Sequence, residues 1–219
     1  MNSMKIFVLH YSKLDERKKS ILLQFEKQNI IDYEFIELFD KDTLRDEDKH
    51  LFIPNFKPSM ISLMLKHFYV YNEIAEKYPE ALILEDDVIL ADNFTTILNN
   101  YLAQLPENYD MLFIGSGCNL HIPSNKIIPN CNIYPKDKTP LVYLGNHCNG
   151  ISRCSDSYVI SNKCAKLLCN YLLHLPYKIN VPSDWWLNIA DKHNNFNVYW
   201  AEPTIVSQGT QCGIYKSSH

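Results

Sequence analysis

The chain has 219 residues, 46% of them hydrophobic and 21% charged, with a formal net charge of −4. That is enough apolar material for one domain spanning 1–219 with its own core, which excludes a disordered chain or a disulfide-stapled miniprotein. No Lys/Arg run forms the basic stripe that phosphate contacts need, so nucleic acid is not an expected partner.

Met4 to Leu9 reads as a buried first strand. Its apolar run, Ile6 to Leu9, is too short for a signal peptide, and nothing reads as a transmembrane segment. A helix is expected over Leu14 to Gln28, with Ile21, Leu22 and Phe25 at helical spacing, then a strand over Tyr33 to Leu38. Acids and bases alternate from Asp40 to His50, as on a solvated loop. Pro58-Ser59 opens a long helix that stops before Pro79, with Ser59 as its expected cap.

Ala81 to Leu84 are wholly apolar, as in a strand covered on both faces, and run straight into Glu85-Asp86-Asp87. Asp92 is the expected cap of a helix through Leu105, and Met111 to Ile114 reads as another buried strand. From 115 to 157 the chain is rich in Gly, Pro, Asn and Cys with little periodicity, the mark of a functional loop region. A strand over Ser157 to Ile160, a helix capped by Ser161, a helix from Ser183, and a strand over Asn197 to Ala201 complete the series. The seven Cys are scattered without a C-x-x-C pair, so no zinc or disulfide framework is expected. Repeated strand-helix alternation implies an α/β fold with a mainly parallel sheet flanked by helices, and ligands at the strands' carboxyl ends.

Strand alternation would turn Glu85 and Asp87 to one side, and two carboxylates there suit a hard divalent cation such as Mn2+ or Mg2+. Such a cation bridges a diphosphate and neutralises the charge that grows as it leaves. The bland alternative is a solvated turn, since acids also collect at strand ends. Which two of Glu85, Asp86 and Asp87 would act directly stays open.

"ALILEDDVIL" resembles the core motif of the family 25 glycosyltransferases, which include lipooligosaccharide and procollagen galactosyltransferases. Further segments match in order along nearly the whole chain: "KIFVLHYSKLDERKKSI", "ISLMLKHFYVYNEI", "DSYVISNKCAKLL", "VPSDWWLN" and "EPTIVSQGTQCGIYKSS". Lys66, before His67, departs from the Ser usual in that family. The resemblance implies a GT-A fold and inverting transfer of a hexose, galactose or glucose, from a UDP-sugar to a hydroxyl on a glycan or protein. It also implies dependence on Mn2+ or Mg2+, with Glu85, Asp86 and Asp87 around the metal.

By the same likeness, Asp184 is the expected general base, and Trp185 and Trp186 would face the acceptor, although Asp184 also suits a helix cap and at least one Trp the core. His10, Arg17, Asp40, His67 and Gln208 are the expected donor contacts. Lys18, Ser217 and Ser218 are further candidates, and His219 a weak third metal ligand. A cytoplasmic protein is expected, in host cytoplasm or the virion if the source is viral. Two other functions fit the same acids: a relative that binds nucleotide sugars without turnover, and a metal-dependent phosphohydrolase.

Overall fold

The computed structural model describes residues 4–141 and 148–216. Its strands are β1 (Lys5–Leu9), β2 (Tyr33–Ile36), β3 (Glu80–Glu85), β4 (Val88–Leu90), β5 (Met111–Phe113), β6 (Ile133–Pro135), β7 (Ser157–Ser161), β8 (Val198–Ala201) and β9 (Val206–Gln208). Its helices are α1 (Asp15–Lys27), α2 (Pro58–Lys77), α3 (Phe94–Leu102), α4 (Asn162–Leu173) and α5 (Ser183–Asn194).

Seven strands form one sheet in the order β2-β1-β3-β7-β5-β8-β6, and β4 pairs with β9 in a small second sheet. The large sheet is mixed: five of its strands share one direction, while β7 and β6 run against them. A parallel neighbour of β5 would need a crossover helix, whereas an antiparallel one needs only a loop. The irregular stretch after β5 is that loop. It leaves and returns at the carboxyl end of β5, the same edge at which β3 delivers the acidic triplet.

Alternation along the inner strands divides the core. Phe7, Leu9, Ala81 and Ile83 face a layer built from α2, α4 and α5. Ile6, Val8, Leu82 and Leu84 face Ile21 and Phe25 of α1 and Phe94 and Leu98 of α3. Ala81 through Leu84 are fully buried, which explains the uninterrupted apolar run. Burying each large side chain there stabilises the fold by about 1.5–3 kcal/mol, so an acid at Leu84 would break both sheet and site.

Ser161 caps α4 as expected, its hydroxyl accepting from the Cys164 amide at 3.2 Å. Three other starts differ. α2 begins at Pro58, with Lys57 rather than Ser59 preceding it, because the fixed φ of proline suits the first helical position. α3 begins after Asn93, and Asp92 pairs with Lys27 at 2.7 Å instead of capping. α5 follows Pro182, leaving the Ser183 hydroxyl for another partner. β4, β6 and β9 are too short to show a period and are not legible in the sequence. Among the described residues, no helix is long and apolar enough to cross a membrane.

Candidate functional site

β1 and β3 are parallel neighbours with Leu9 opposite Glu85, so the residues just beyond both strands meet. A cleft of about 620 Å³ opens there. Its walls come from the β1 exit (His10, Tyr11), α1 (Arg17), the first half of α2 (Ser59, Ser62, Lys66), the whole triplet, Gln208 at the end of β9, and Thr210 just beyond it. A second cavity of about 620 Å³ adjoins it and includes Cys154, Ser155, Ser183 and Asp184. Leu63, Glu85 and Gln208 line both.

β3 stops at Glu85, and Asp86-Asp87 form a turn rather than more strand. The turn separates the three acids. Asp86 is buried and fully engaged: Arg17 Nη1 donates to its Oδ1 at 2.8 Å, while its Oδ2 meets His10 Nδ1 at 2.8 Å and the Tyr11 amide at 3.1 Å. Burial alone would raise this carboxyl, but the bonds from His10, Arg17 and Tyr11 outweigh it and hold it below the ordinary range.

Glu85 and Asp87 meet a different environment. Burial first, then the charges of Asp87 and Asp156, push the Glu85 carboxyl well above its usual value. Asp87 Oδ2 accepts the Thr210 hydroxyl, whereas its buried Oδ1 has no hydrogen-bond partner. Asp156, at the entry to β7, is a residue that sequence reading misses: it opens the family-like segment "DSYVISNKCAKLL" but is not among the expected site residues. Burial pushes it up to about 7, opposed by the Ser157 hydroxyl and reinforced by Asp87 and Asp184, and its Oδ1 also lacks a partner. Gly115 must stay small beside it, since an added Cβ would lie 2.4 Å from Ser157 Oγ and 2.7 Å from Asp156 Oδ2.

Crowded carboxylates with orphaned oxygens call for positive charge. Among the described residues no group of three or more His, Cys, Asp or Glu is arranged to hold a metal. A hard cation bound here would take one or two of these carboxylates and its remaining oxygens from phosphate and water.

Asp184 is half-buried at the start of α5, and burial, opposed by backbone amides, raises its proton affinity. A chain of hydroxyls links this helix to the triplet: Ser183 Oγ to Ser155 Oγ at 2.7 Å, and Ser155 Oγ to Glu85 Oε1 at 3.2 Å. Trp185 is partly exposed, while Trp186 is buried against Phe68 and Tyr171 with ring centroids 4.8 and 5.9 Å away.

The remaining predicted contacts divide. His10, Arg17 and Gln208 line the first cleft. Asp40 stands behind it, where Oδ1 accepts from Lys66 Nζ at 2.7 Å and Oδ2 from the Ser12 amide at 3.1 Å and hydroxyl at 2.5 Å. Lys66 also donates to the His10 and Ile36 carbonyls at 2.7 and 3.2 Å, so it ties together the ends of β1 and β2. His67 is not brought to either cavity: Tyr158 meets its Nδ1 at 2.9 Å, Tyr71 meets Tyr158 at 2.7 Å, and burial pushes it down to about 3. Lys18 pairs with Glu37 at 2.6 Å.

The segment after β9 folds back over the triplet. The Gly209 amide donates to the Asp87 carbonyl at 2.7 Å, and Arg17 Nη2 donates to the Lys216 carbonyl at 2.7 Å. Arg17 also lies 5.2 Å from the Tyr215 ring centre. Ser217, Ser218 and His219, and residues 142–147 of the irregular stretch, lie outside the described residues.

Residues 3–186 match the model of glycosyltransferase family 25, described as an LPS biosynthesis protein family. The R655 protein of Acanthamoeba polyphaga mimivirus, whose name designates a glycosyltransferase, is 31% identical over 130 residues. That match covers 54% of this chain and 39% of the mimivirus protein, so the chain spans well under half of that relative. Among solved structures, the fold is similar to a glycosyltransferase involved in glycosylation of the major capsid of PBCV-1. That likeness has a TM-score of 0.52 and 9% identity, covering 94% of this chain and 93% of the other. The architecture, an α/β sheet flanked by helices, is of the GT-A kind.

Proposed function

The chain belongs to glycosyltransferase family 25, and we propose that it moves a hexose, galactose or glucose, from a UDP-sugar to a hydroxyl of a glycan or protein, with inversion. The observation that carries this reading is the pairing of two joined cavities. One holds Glu85 and an orphaned Asp87 oxygen; the other holds a partly desolvated Asp184.

Glu85 and Asp87 would hold Mn2+ or Mg2+ with the donor diphosphate. A bound cation would neutralise the charge gathering on the departing diphosphate. Arg17 and His10 hold Asp86 inward, which fixes the turn that aims its two neighbours. The first turn of α2 presents Ser59 and Ser62 to the same cleft, where a helix N-terminus favours phosphate. Gln208 at the end of β9 and Thr210 just beyond it would close over the donor, limiting water.

Asp184 would take the proton of the acceptor hydroxyl as that oxygen bonds to the anomeric carbon and the carbon–diphosphate bond breaks. Its raised proton affinity matches that task. The Ser183–Ser155–Glu85 hydroxyl chain ties the start of α5, where Asp184 sits, to the triplet. Trp185, partly exposed and next to Asp184 in α5, would offer a face to the acceptor sugar, whereas Trp186 supports the helix from the core.

The test is release of nucleoside diphosphate from a panel of nucleotide sugars, with manganese, with magnesium and with chelator, with and without glycan acceptors. Cation-dependent UDP release from one sugar, raised by acceptor, is the expected result. Cleavage of nucleoside triphosphates or phosphoesters in its place would establish the phosphohydrolase reading. Tight donor binding without turnover would establish the non-catalytic one.

A further inference from the structure

Two thiols at the rim of the second cavity are placed for a chemistry that sugar transfer does not use. Cys118 lies in the loop after β5 and is exposed; Cys154 lies just ahead of β7 and lines the cavity with Asp184. Their sulfurs are 3.6 Å apart, across 36 residues of chain. Among the described residues, no other cysteine pair is in sulfur–sulfur contact.

The backbone holds this pair together. Gly117 sits at φ +32°, and an added Cβ there would fall 1.9 Å from the Arg153 backbone. So close an approach sets the residues that follow, Cys118 and Cys154, side by side; both adopt positive φ, 49° and 62°. Arg153 is anchored in turn, with Nη1 donating to the Ala201 carbonyl at 2.7 Å and Nη2 to Glu202 at 2.8 Å. Gln211, from the segment after β9, accepts from the Cys118 amide at 3.0 Å and places its amide nitrogen 3.8 and 3.9 Å from the two sulfurs.

We propose that Cys118 and Cys154 are a redox modification site, closing to a reversible disulfide in exchange with a low-molecular-weight disulfide such as oxidised glutathione. The exposed Cys118 thiolate attacks one glutathione sulfur and expels the first glutathione thiolate. Burial, with Asp156 and Asp184 nearby, holds the Cys154 thiol protonated, so it gives its proton to the expelled glutathione thiolate as its sulfur attacks Cys118 and displaces the second glutathione thiolate. Two protein thiols lose two electrons and one small disulfide gains them. Closing the gap to a bond of about 2.05 Å needs a shift of roughly 1.5 Å, within reach of side-chain rotation and a small loop movement. The bridge would fasten the loop after β5 to the cavity wall beside Asp184, so the modification lies on the acceptor side of the site.

The experiment holds the full chain in oxidised glutathione, quenches with an alkylating agent, and counts thiols in denaturant before peptide mapping. The free thiol count is expected to fall by two, from seven to five, with one bridged peptide pair joining Cys118 to Cys154. Dithiothreitol should restore all seven. Cys212→Ser should retain the bridge, while Cys118→Ser and Cys154→Ser should each abolish it; Cys118 is exposed, so its near-isosteric variant disturbs the fold less than the one at Cys154. A lasting glutathione adduct on Cys118 with Cys154 still reduced would overturn the proposal, as would a dominant Cys118–Cys212 linkage. Neither readout depends on whether the chain transfers a sugar.

Discussion

Arg17 Nη1 and Asp86 Oδ1 are 2.8 Å apart, with both side chains only 8% exposed. This pairing gives the central acid of the triplet a buried cationic partner, whereas the Glu85 and Asp87 carboxyls accept, among the described residues, only from the Ser155 and Thr210 hydroxyls. Breaking a buried pair by removing one charge strands the other, at a cost of about 3–5 kcal/mol. Asp86→Asn is therefore expected to unfold at markedly lower urea. Asp87→Asn relieves repulsion with Glu85, so it should match or exceed the native stability while losing cation-dependent nucleotide release. Equal denaturation midpoints for the two variants would contradict this division of labour.

Asp184→Asn separates proton transfer from donor binding. Losing a general base lowers turnover by about 10²–10⁴-fold. The expected pattern is that drop in kcat with donor affinity unchanged, read by steady-state kinetics and by calorimetric titration of the donor. A variant with native kcat would reassign the base.

Asp156 gives the folded chain a pH signature. With its carboxyl pushed up to about 7 from the ordinary 3.8, the folded state holds a proton that the unfolded state has released. Stability should therefore fall as pH rises through that window, by about 2–3 kcal/mol between pH 5 and 7.5 for this group. Asp40 and Asp86, held below the ordinary range, act the opposite way and lower down: their contribution is lost as pH falls through their folded values. Denaturant titrations of native chain and Asp156→Asn at both pH values check the first effect. The native curve should lose stability toward pH 7.5, and the variant should lose less by that amount.

His67 serves the core. Its neutral ring completes the Tyr71–Tyr158–His67 chain beneath the sheet. His67→Ala should cost about 1–3 kcal/mol from the broken buried hydrogen bond, with further loss from the cavity. Donor KM should not move. A large KM change at native stability would return His67 to the donor site.

The sequence by itself determined the longer elements and the residue types on offer. The apolar run Ala81 to Leu84 announced a strand buried on both faces, Ser161 announced a helix start, and three acids at a strand end marked a candidate site. All three signals are local, because helix and strand periods and caps act over a few residues. Tertiary structure alone decided what each acid meets. Asp86 pairs with Arg17, 69 residues away; Thr210 reaches Asp87 across 123; Ser155 joins Glu85 across 70. It also decided that β7 runs against β3, which carries Asp156 and Cys154 to the triplet's edge of the sheet. No period or spacing encodes such meetings. Strand pairing and register set them, together with the requirement that a buried charge find a partner.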